Sequence, residues 1–264
     1  MVVRKRRLTA WDKEYRDAWQ QELQYIRKYA VRKVSVLDRK MGEIAPEKLE
    51  ETLHAAFIKA FALVFKNGTG VISWVGRRKD RQLSCQIREY KTDLKESRKN
   101  LRSFNRAAKT AGMGNVIVSG AAGLGMGLFG ATLPDVPLFT AMLLKSVYET
   151  AESFGFGHDT PAERRFVLRL IEAALCHGAE LEEKNEELNR FMQTGRWQEE
   201  RAMDMEIRAA ARRLSEEVLY GKVLQNIPLV GAVGGAKDGI LVSRVQKYAA
   251  IKYRRRFLLR RREH

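Results

Sequence analysis

Residues 110–144 read TAGMGNVIVSGAAGLGMGLFGATLPDVPLFTAMLL, and Asp135 is the one ionisable side chain among them. From Gly112 to Leu133 the chain is uncharged for 22 residues, nominally long enough to span a bilayer as a helix. Seven of those 22 residues are glycine, which lowers both hydrophobicity and helix propensity. Pro134-Asp135-Val136-Pro137 breaks the run, and a new helix is expected over 138–151. Two readings of the apolar stretch stay open. One is a glycine-rich pair of helices buried in a soluble core. The other is a hairpin that lies in or enters a membrane. Both use Gly123, Gly127 and Ala131 for close helix approach. A single stable transmembrane span fits the composition less well than buried core or conditional insertion.

A second glycine-rich apolar block runs from Ile227-Pro228 to Gly239. Its Gly231, Gly235 and Gly239 share one helical stripe, but Lys237 and Asp238 interrupt it, so it is too short to span alone. Gly123, Gly127, Gly231 and Gly235 are the expected helix-packing positions.

The rest reads as helix. Thr9-Ala10-Trp11-Asp12 resembles a capping box, followed by a stripe of Trp11, Tyr15, Trp19, Leu23, Ile26 and Ala30. Pro46 opens a second helix with Leu49, Leu53, Phe57, Phe61 and Phe65 on one face, ending at Asn67-Gly68. A third, strongly charged helix is expected over 80–109, facing water or a charged partner. Thr160-Pro161-Ala162-Glu163 supplies an N-cap, an N1 proline and a capping glutamate together. A charged helical region over 180–218 breaks near Gly195, with Tyr220-Gly221 closing it, and a last helix starts near Ile240. Only 71–75 and 116–118 look strand-like. The predicted fold is all-α, a multi-helix globular bundle with the two glycine-rich segments packed in its core.

The chain has 264 residues, with 49 Lys+Arg against 32 Asp+Glu, a formal net charge of +17. At 45% hydrophobic and 31% charged it is neither disordered nor collagen-like. Residues 1–45 carry +6, 71–111 carry +8 and 244–264 carry +8, flanking a mildly acidic middle. Such charge favours polyanions or anionic lipid surfaces as partners. Cys85 and Cys176 are expected to be reduced structural thiols. Arg4-Lys5-Arg6-Arg7 runs into Trp11, Asp12 and Glu14 rather than an apolar region, so a secretory signal is not expected and the cytoplasm is the default.

An ordered set of motifs carries a family resemblance. It begins with Leu133-Pro134-Asp135-Val136-Pro137-Leu138-Phe139 and continues to Tyr148-Glu149. Phe154-Gly155-Phe156-Gly157, Pro161-Ala162-Glu163-Arg164-Arg165-Phe166 and Ile227-Pro228-Leu229-Val230-Gly231-Ala232 follow. Together they resemble the EcsC protein family, most closely over about 110–245. The resemblance implies a bacterial protein and, from the founding member's place beside an ABC transporter, a transport or stress system as partner. It implies no enzymatic activity and no cofactor. It divides the chain into an N-terminal basic helical region (1–110), an EcsC-like core (111–245) and a basic amphipathic C-terminal tail (246–264).

Three function classes compete. In the first, the tail docks on an anionic membrane surface at the inner face of the cell membrane. Arg254, Arg255, Arg256, Arg260, Arg261 and Arg262, with Arg4–Arg7 assisting, would meet head groups while Phe257, Leu258 and Leu259 sink into the interface. The second is a soluble hydrolase-like enzyme with an acid/base site at Asp135, Glu149 and His158, joined by Glu152 and Asp159 if the 138–151 helix folds back. Against it, Asp135 and Asp159 suit turn and cap positions. The third is non-specific nucleic-acid binding, which has the charge but no helix-turn-helix spacing, RNP-like motif or zinc finger. Gly123-Leu124-Gly125-Met126-Gly127 lacks the Lys-Ser/Thr of a phosphate loop and reads as helix packing. Four histidines without His-x-x-x-His spacing, and no Cys-x-x-Cys, give no reason to expect a metal.

Overall fold

A computed structural model describes residues 8–31, 47–66, 78–111, 135–225 and 237–262. Among them are nine helices and no strand. They are α1 (Ala10–Lys28), α2 (Glu47–Lys66), α3 (Arg78–Leu94), α4 (98–111), α5 (Asp135–Ser153), α6 (Pro161–Leu175), α7 (Gly178–Thr194), α8 (Met203–Gln225) and α9 (Lys237–Arg262). The all-α expectation holds. The two strand-like scraps and Gly123, Gly127, Gly231 and Gly235 lie outside the described residues.

Local chemistry sets several boundaries where the sequence placed them. Thr9 Oγ1 accepts from the Asp12 amide at 3.0 Å, and the Asp12 carboxylate accepts from the Thr9 amide at 2.9 Å, a complete capping box. Thr160 Oγ1 accepts from the Glu163 amide at 3.2 Å with Pro161 beside it, but the Glu163 carboxylate turns to Arg256 of α9. Gly195 ends α7 with φ +67°, a left-handed conformation that side chains disfavour, and donates to the Phe191 carbonyl at 2.8 Å.

The expected helix over 80–109 is two helices. Residues 95–97 separate α3 from α4: the Ser97 hydroxyl accepts from the Asn100 amide, and Asn100 Nδ2 donates to the Lys91 and Lys95 carbonyls. A serine cap at the start of one helix and an asparagine closing the end of the other satisfy the groups that a continuous helix would have paired.

α9 is the axis of the bundle. It packs on α1, α5 and α6 and touches α7 and α8, while α2 lies against α5 and α8, and α3 lies on α5. Phe257 of α9 sits with its ring centroid 4.3 Å from Phe104 and 6.1 Å from Phe154. Tyr253 and Phe166 meet edge-on at 5.4 Å, next to Phe191 and Trp197. Each such aromatic side chain removed from water contributes about 1.5–3 kcal/mol. The α2 stripe is core as expected, with Leu53, Phe57 and Phe61 fully or nearly fully buried.

The α1 stripe is core only in part: Trp11 and Tyr15 are half-buried against it. Its buried face is Glu14, Ala18, Glu22 and Tyr25, and Trp19 is exposed. The reason is what faces α1: the cation-rich end of α9, whose buried cations require carboxylates opposite them, with Trp11 and Tyr15 beside those pairs.

Candidate functional site

The residues expected to form a membrane-docking tail are instead the end of α9, inside the bundle. Lys252, Tyr253, Arg254, Arg255, Phe257 and Leu258 are all buried. Arg254 Nη2 lies 2.5 Å from Glu14 and 2.7 Å from Asp17. Arg255 Nη1 lies 2.6 Å from Glu22, and Lys252 Nζ lies 3.3 Å from the same carboxylate. Asn185 and Asn189 each donate to the other Glu22 oxygen at 3.0 Å, and Asn189 accepts from Lys252 at 2.8 Å. Burial alone would raise the Glu22 pKa, but Lys252 and Arg255 hold it down at about 2. Burial pulls Lys252 down to about 8 against the pull of Glu22. Arg256 grips Glu163 with both nitrogens at 2.5 and 2.7 Å. The tail expectation is corrected on physical grounds: these cations have intramolecular carboxylates, and their apolar neighbours fill the core. Leu259 is half-buried, and Arg262 lies over the Trp11 ring at 5.4 Å.

Arg260 and Arg261 have another task. Arg260 Nη2 lies 3.0 Å from Glu89 and its Nη1 donates to the Gly155 carbonyl at 3.2 Å, while Arg261 Nη2 lies 2.7 Å from Asp93. Glu89 and Asp93 are on α3, so the basic end of α9 pins that helix in place. Gly155 has φ +76°, and a Cβ there would press on Arg260, Glu89 and Cys85, so glycine permits the close approach.

Four of the five suspected acid/base residues do come together. His158 Nε2 is 3.2 Å from Glu152, its Nδ1 is 3.6 Å from Asp159, and its ring stacks on Tyr148 at 4.0 Å. Arg81 of α3 reaches Glu152 at 2.7 Å and Glu149 at 3.1 Å. Glu149, Glu152 and His158 are buried. The cluster thus ties α3 to α5 through a guanidinium that already occupies both carboxylates. Asp135 begins α5, but its side chain lies outside the described residues. Among the described residues, no group of three His, Cys, Asp or Glu side chains could hold a metal ion. Cys85 and Cys176 are buried free thiols, pushed up by burial to about 11 and about 12.

The feature the sequence reading missed is the outer face of α3. Leu83, Ile87, Tyr90 and Leu94 recur at steps of four, three and four, so they form one narrow stripe. They are 57%, 46%, 65% and 70% exposed. The opposite face of α3 holds Cys85 and Thr92, both buried, with Arg81 on Glu149 and Glu152 and Arg88 stacked over Phe104 at 5.6 Å. The helix is inverted: polar groups face the bundle and apolar ones face out. Exposed Lys79 and Lys91 flank the stripe, and Lys95 follows it, with Asp80 and Glu96 among them. The periodicity was available in the sequence, but it would have been assigned to the core, because an apolar stripe normally faces inward.

α4 continues the positive face. Lys99, Arg102, Arg106 and Lys109 are exposed on one side, and Leu101, Phe104 and Ala108 are buried on the other. Arg98 and Arg102 anchor α4 to α1 by sharing Glu14 Oε1 at 2.6 and 2.9 Å. No helix among the described residues is long and apolar enough to cross a membrane.

A model of the EcsC protein family matches residues 13–258, nearly the whole chain. Neither a curated protein nor a solved structure matches it.

Proposed function

The chain belongs to the EcsC protein family, and we propose that this member is a peripheral binding protein that docks α3 on an anionic lipid surface. The observation that carries the reading is the outward stripe of Leu83, Ile87, Tyr90 and Leu94, bordered by Lys79 and Lys91. An apolar strip set between cations is the composition of an interfacial helix, whose apolar side enters the head-group boundary while its lysines meet phosphates. Each lysine or arginine near such a surface contributes about 1 kcal/mol, and each square ångström of apolar area removed from water about 25 cal/mol. The 71–111 block carries a net +8, of which Arg81, Arg98 and Arg102 are paired with carboxylates of α5 and α1. The docking element is therefore α3, held by Arg260 and Arg261, rather than the arginines themselves. The inner face of the cell membrane is the surface of matching charge, and a transport system there would be the setting in which an accessory protein of this kind works.

The test is co-sedimentation with vesicles of phosphatidylcholine alone or mixed with phosphatidylglycerol, at low and high salt. Wild type should pellet with the anionic vesicles and be released by salt. Leu83→Ser, Tyr90→Ser and Leu94→Ser combined should leave most of the protein in the supernatant. Equal binding by wild type and triple variant would defeat the proposal. Duplex DNA binding that persists in the triple variant, with no vesicle binding, would favour nucleic acid instead.

A further inference from the structure

We propose that the groove between α1, α4 and α9 is a phosphate-binding site that takes a multiply charged phosphomonoester or pyrophosphate group. The groove is separate from the α3 stripe and does not depend on α3 reaching a membrane. It has a volume of about 560 Å³ and is lined by Asp17 and Gln21 of α1, five residues of α4, and Arg254 of α9. That volume lies within the range of small-molecule sites, roughly 300–1,000 Å³.

The α4 contribution is Lys99, Arg102, Asn105, Arg106 and Lys109. The four cations recur at steps of three, four and three, which places them along one side of the helix. Arg102 is committed to Glu14. Lys99, Arg106 and Lys109 have no carboxylate partner among the described residues, and the one bond of the Arg106 guanidinium is a long 3.4 Å donation to the Lys99 carbonyl. Three cations thus converge on a concave surface without internal neutralisation.

A second observation concerns Arg254, which also lines the groove. Arg254 is only 4% exposed. Its Nη2 is engaged by Glu14 and Asp17, but its Nη1 is buried with no hydrogen-bond partner. A buried guanidinium N–H without an acceptor is an unfavourable arrangement, and this one belongs to a residue that lines the groove. The single lining carboxylate, Asp17, already accepts from Arg254 and from Gln21 Nε2 at 3.3 Å, so its repulsion of an anion is blunted. Lys99, Arg106 and Lys109, the three lining cations without a carboxylate, suit a ligand of two or more negative charges; a monocarboxylate would leave most of that charge unmatched. Gln21 and Asn105 supply amides for hydroxyl or ester oxygens of the ligand body.

The ligand's phosphate has two possible sources, a soluble metabolite or a phosphomonoester lipid head group, and the experiment separates them. Titration calorimetry would use pyrophosphate, with sulfate as the control anion. Flotation would compare vesicles containing phosphatidate with vesicles of equal charge containing phosphatidylglycerol. Wild type should bind pyrophosphate about tenfold tighter than sulfate, and the exposed pair Arg106→Gln/Lys109→Gln should lose about tenfold of that affinity. A preference for phosphatidate that the same pair abolishes would support the site with a lipid source. Equal affinity for sulfate and pyrophosphate with no phosphatidate preference, or undiminished binding by a folded Arg106→Gln/Lys109→Gln variant, would overturn the proposal. The α3 triple variant should keep its pyrophosphate affinity, so loss of vesicle docking and loss of the phosphate site are read separately.

Discussion

α3 and α9 are both rich in arginine and lysine, and they use that charge in opposite ways. α9 buries Lys252, Arg254 and Arg255 against Glu14 and Glu22 and fills the space between them with Tyr253, Phe257 and Leu258. α3 turns Arg81 and Arg88 inward and sets Leu83, Ile87, Tyr90 and Leu94 in water. A basic helix is therefore not a surface helix by virtue of its charge. What decides is whether carboxylates elsewhere in the chain are positioned to meet it. α1 provides them for the far end of α9, and a buried charge paired and hydrogen-bonded in this way is tolerated where an unpaired one is not.

That contrast can be broken most forcefully in the α9 partners. Glu22→Ala leaves Lys252 and Arg255 buried without their carboxylate and should destabilise the fold by about 3–5 kcal/mol. Denaturant unfolding would measure it, and a loss under 1 kcal/mol would mean the network is not what holds α1 to α9. Phe257→Ala, within the aromatic cluster, should cost about 3–5 kcal/mol by the same assay. Substituting serine across Phe257, Leu258 and Leu259 should therefore unfold the protein rather than merely detach it from vesicles.

Acid gives a gentler version of the first experiment. Glu22 titrates near 2 in the fold against an ordinary value of 4.5, so its contribution is complete above about 4.5 and is lost as pH falls toward 2. The loss should reach about 3 kcal/mol and should be missing in Glu22→Gln. Thermal melts between pH 5 and pH 2 would show it, and parallel curves for the two proteins would contradict it. On α3 the expected effects are small: Tyr90→Ser should change stability by less than about 0.5 kcal/mol, since the ring is mostly in water already. Arg261→Ala breaks one ion pair to the exposed Asp93 and should likewise cost only about 0–1 kcal/mol. A large loss from Tyr90→Ser would mean that α3 is held by its outer face, and a large loss from Arg261→Ala that the pair with Asp93 is what holds it.

Much of the fold was legible because it rests on local chemistry. The Thr9 and Thr160 caps, the α2 phenylalanine stripe, the break at Gly195 and the all-helical character follow from residues a few positions apart. The corrections share one cause, which is pairing over long separations. Nothing near Arg254 and Arg255 in sequence announces that Glu14 and Glu22 lie opposite them, 240 and 233 residues away. The same blindness hid the candidate site. The period of the α3 stripe was present, but its direction depends on Glu149, Glu152, Glu89 and Asp93 drawing the arginines of α3 and α9 into the junction. The split between α3 and α4 was missed because Ser97 and Asn100 sit in a run of helix-favouring charged residues.

The pairing of α1 with α9 also imposes an order on biosynthesis. Glu14 and Glu22 are made early; Arg98 and Arg102 follow Glu14 by 84 and 88 residues, but Arg254 and Arg255 arrive only after 240 and 233 residues. At ordinary translation speeds that longer gap lasts on the order of 10–50 s, during which α1 has α4 but not α9 to dock on. Until then Glu22 stays hydrated and the axis around which the other helices pack is missing. Ribosome-bound fragments that stop short of residue 252 should be protease-sensitive throughout, and protection should come in one late step when the end of α9 clears the exit tunnel.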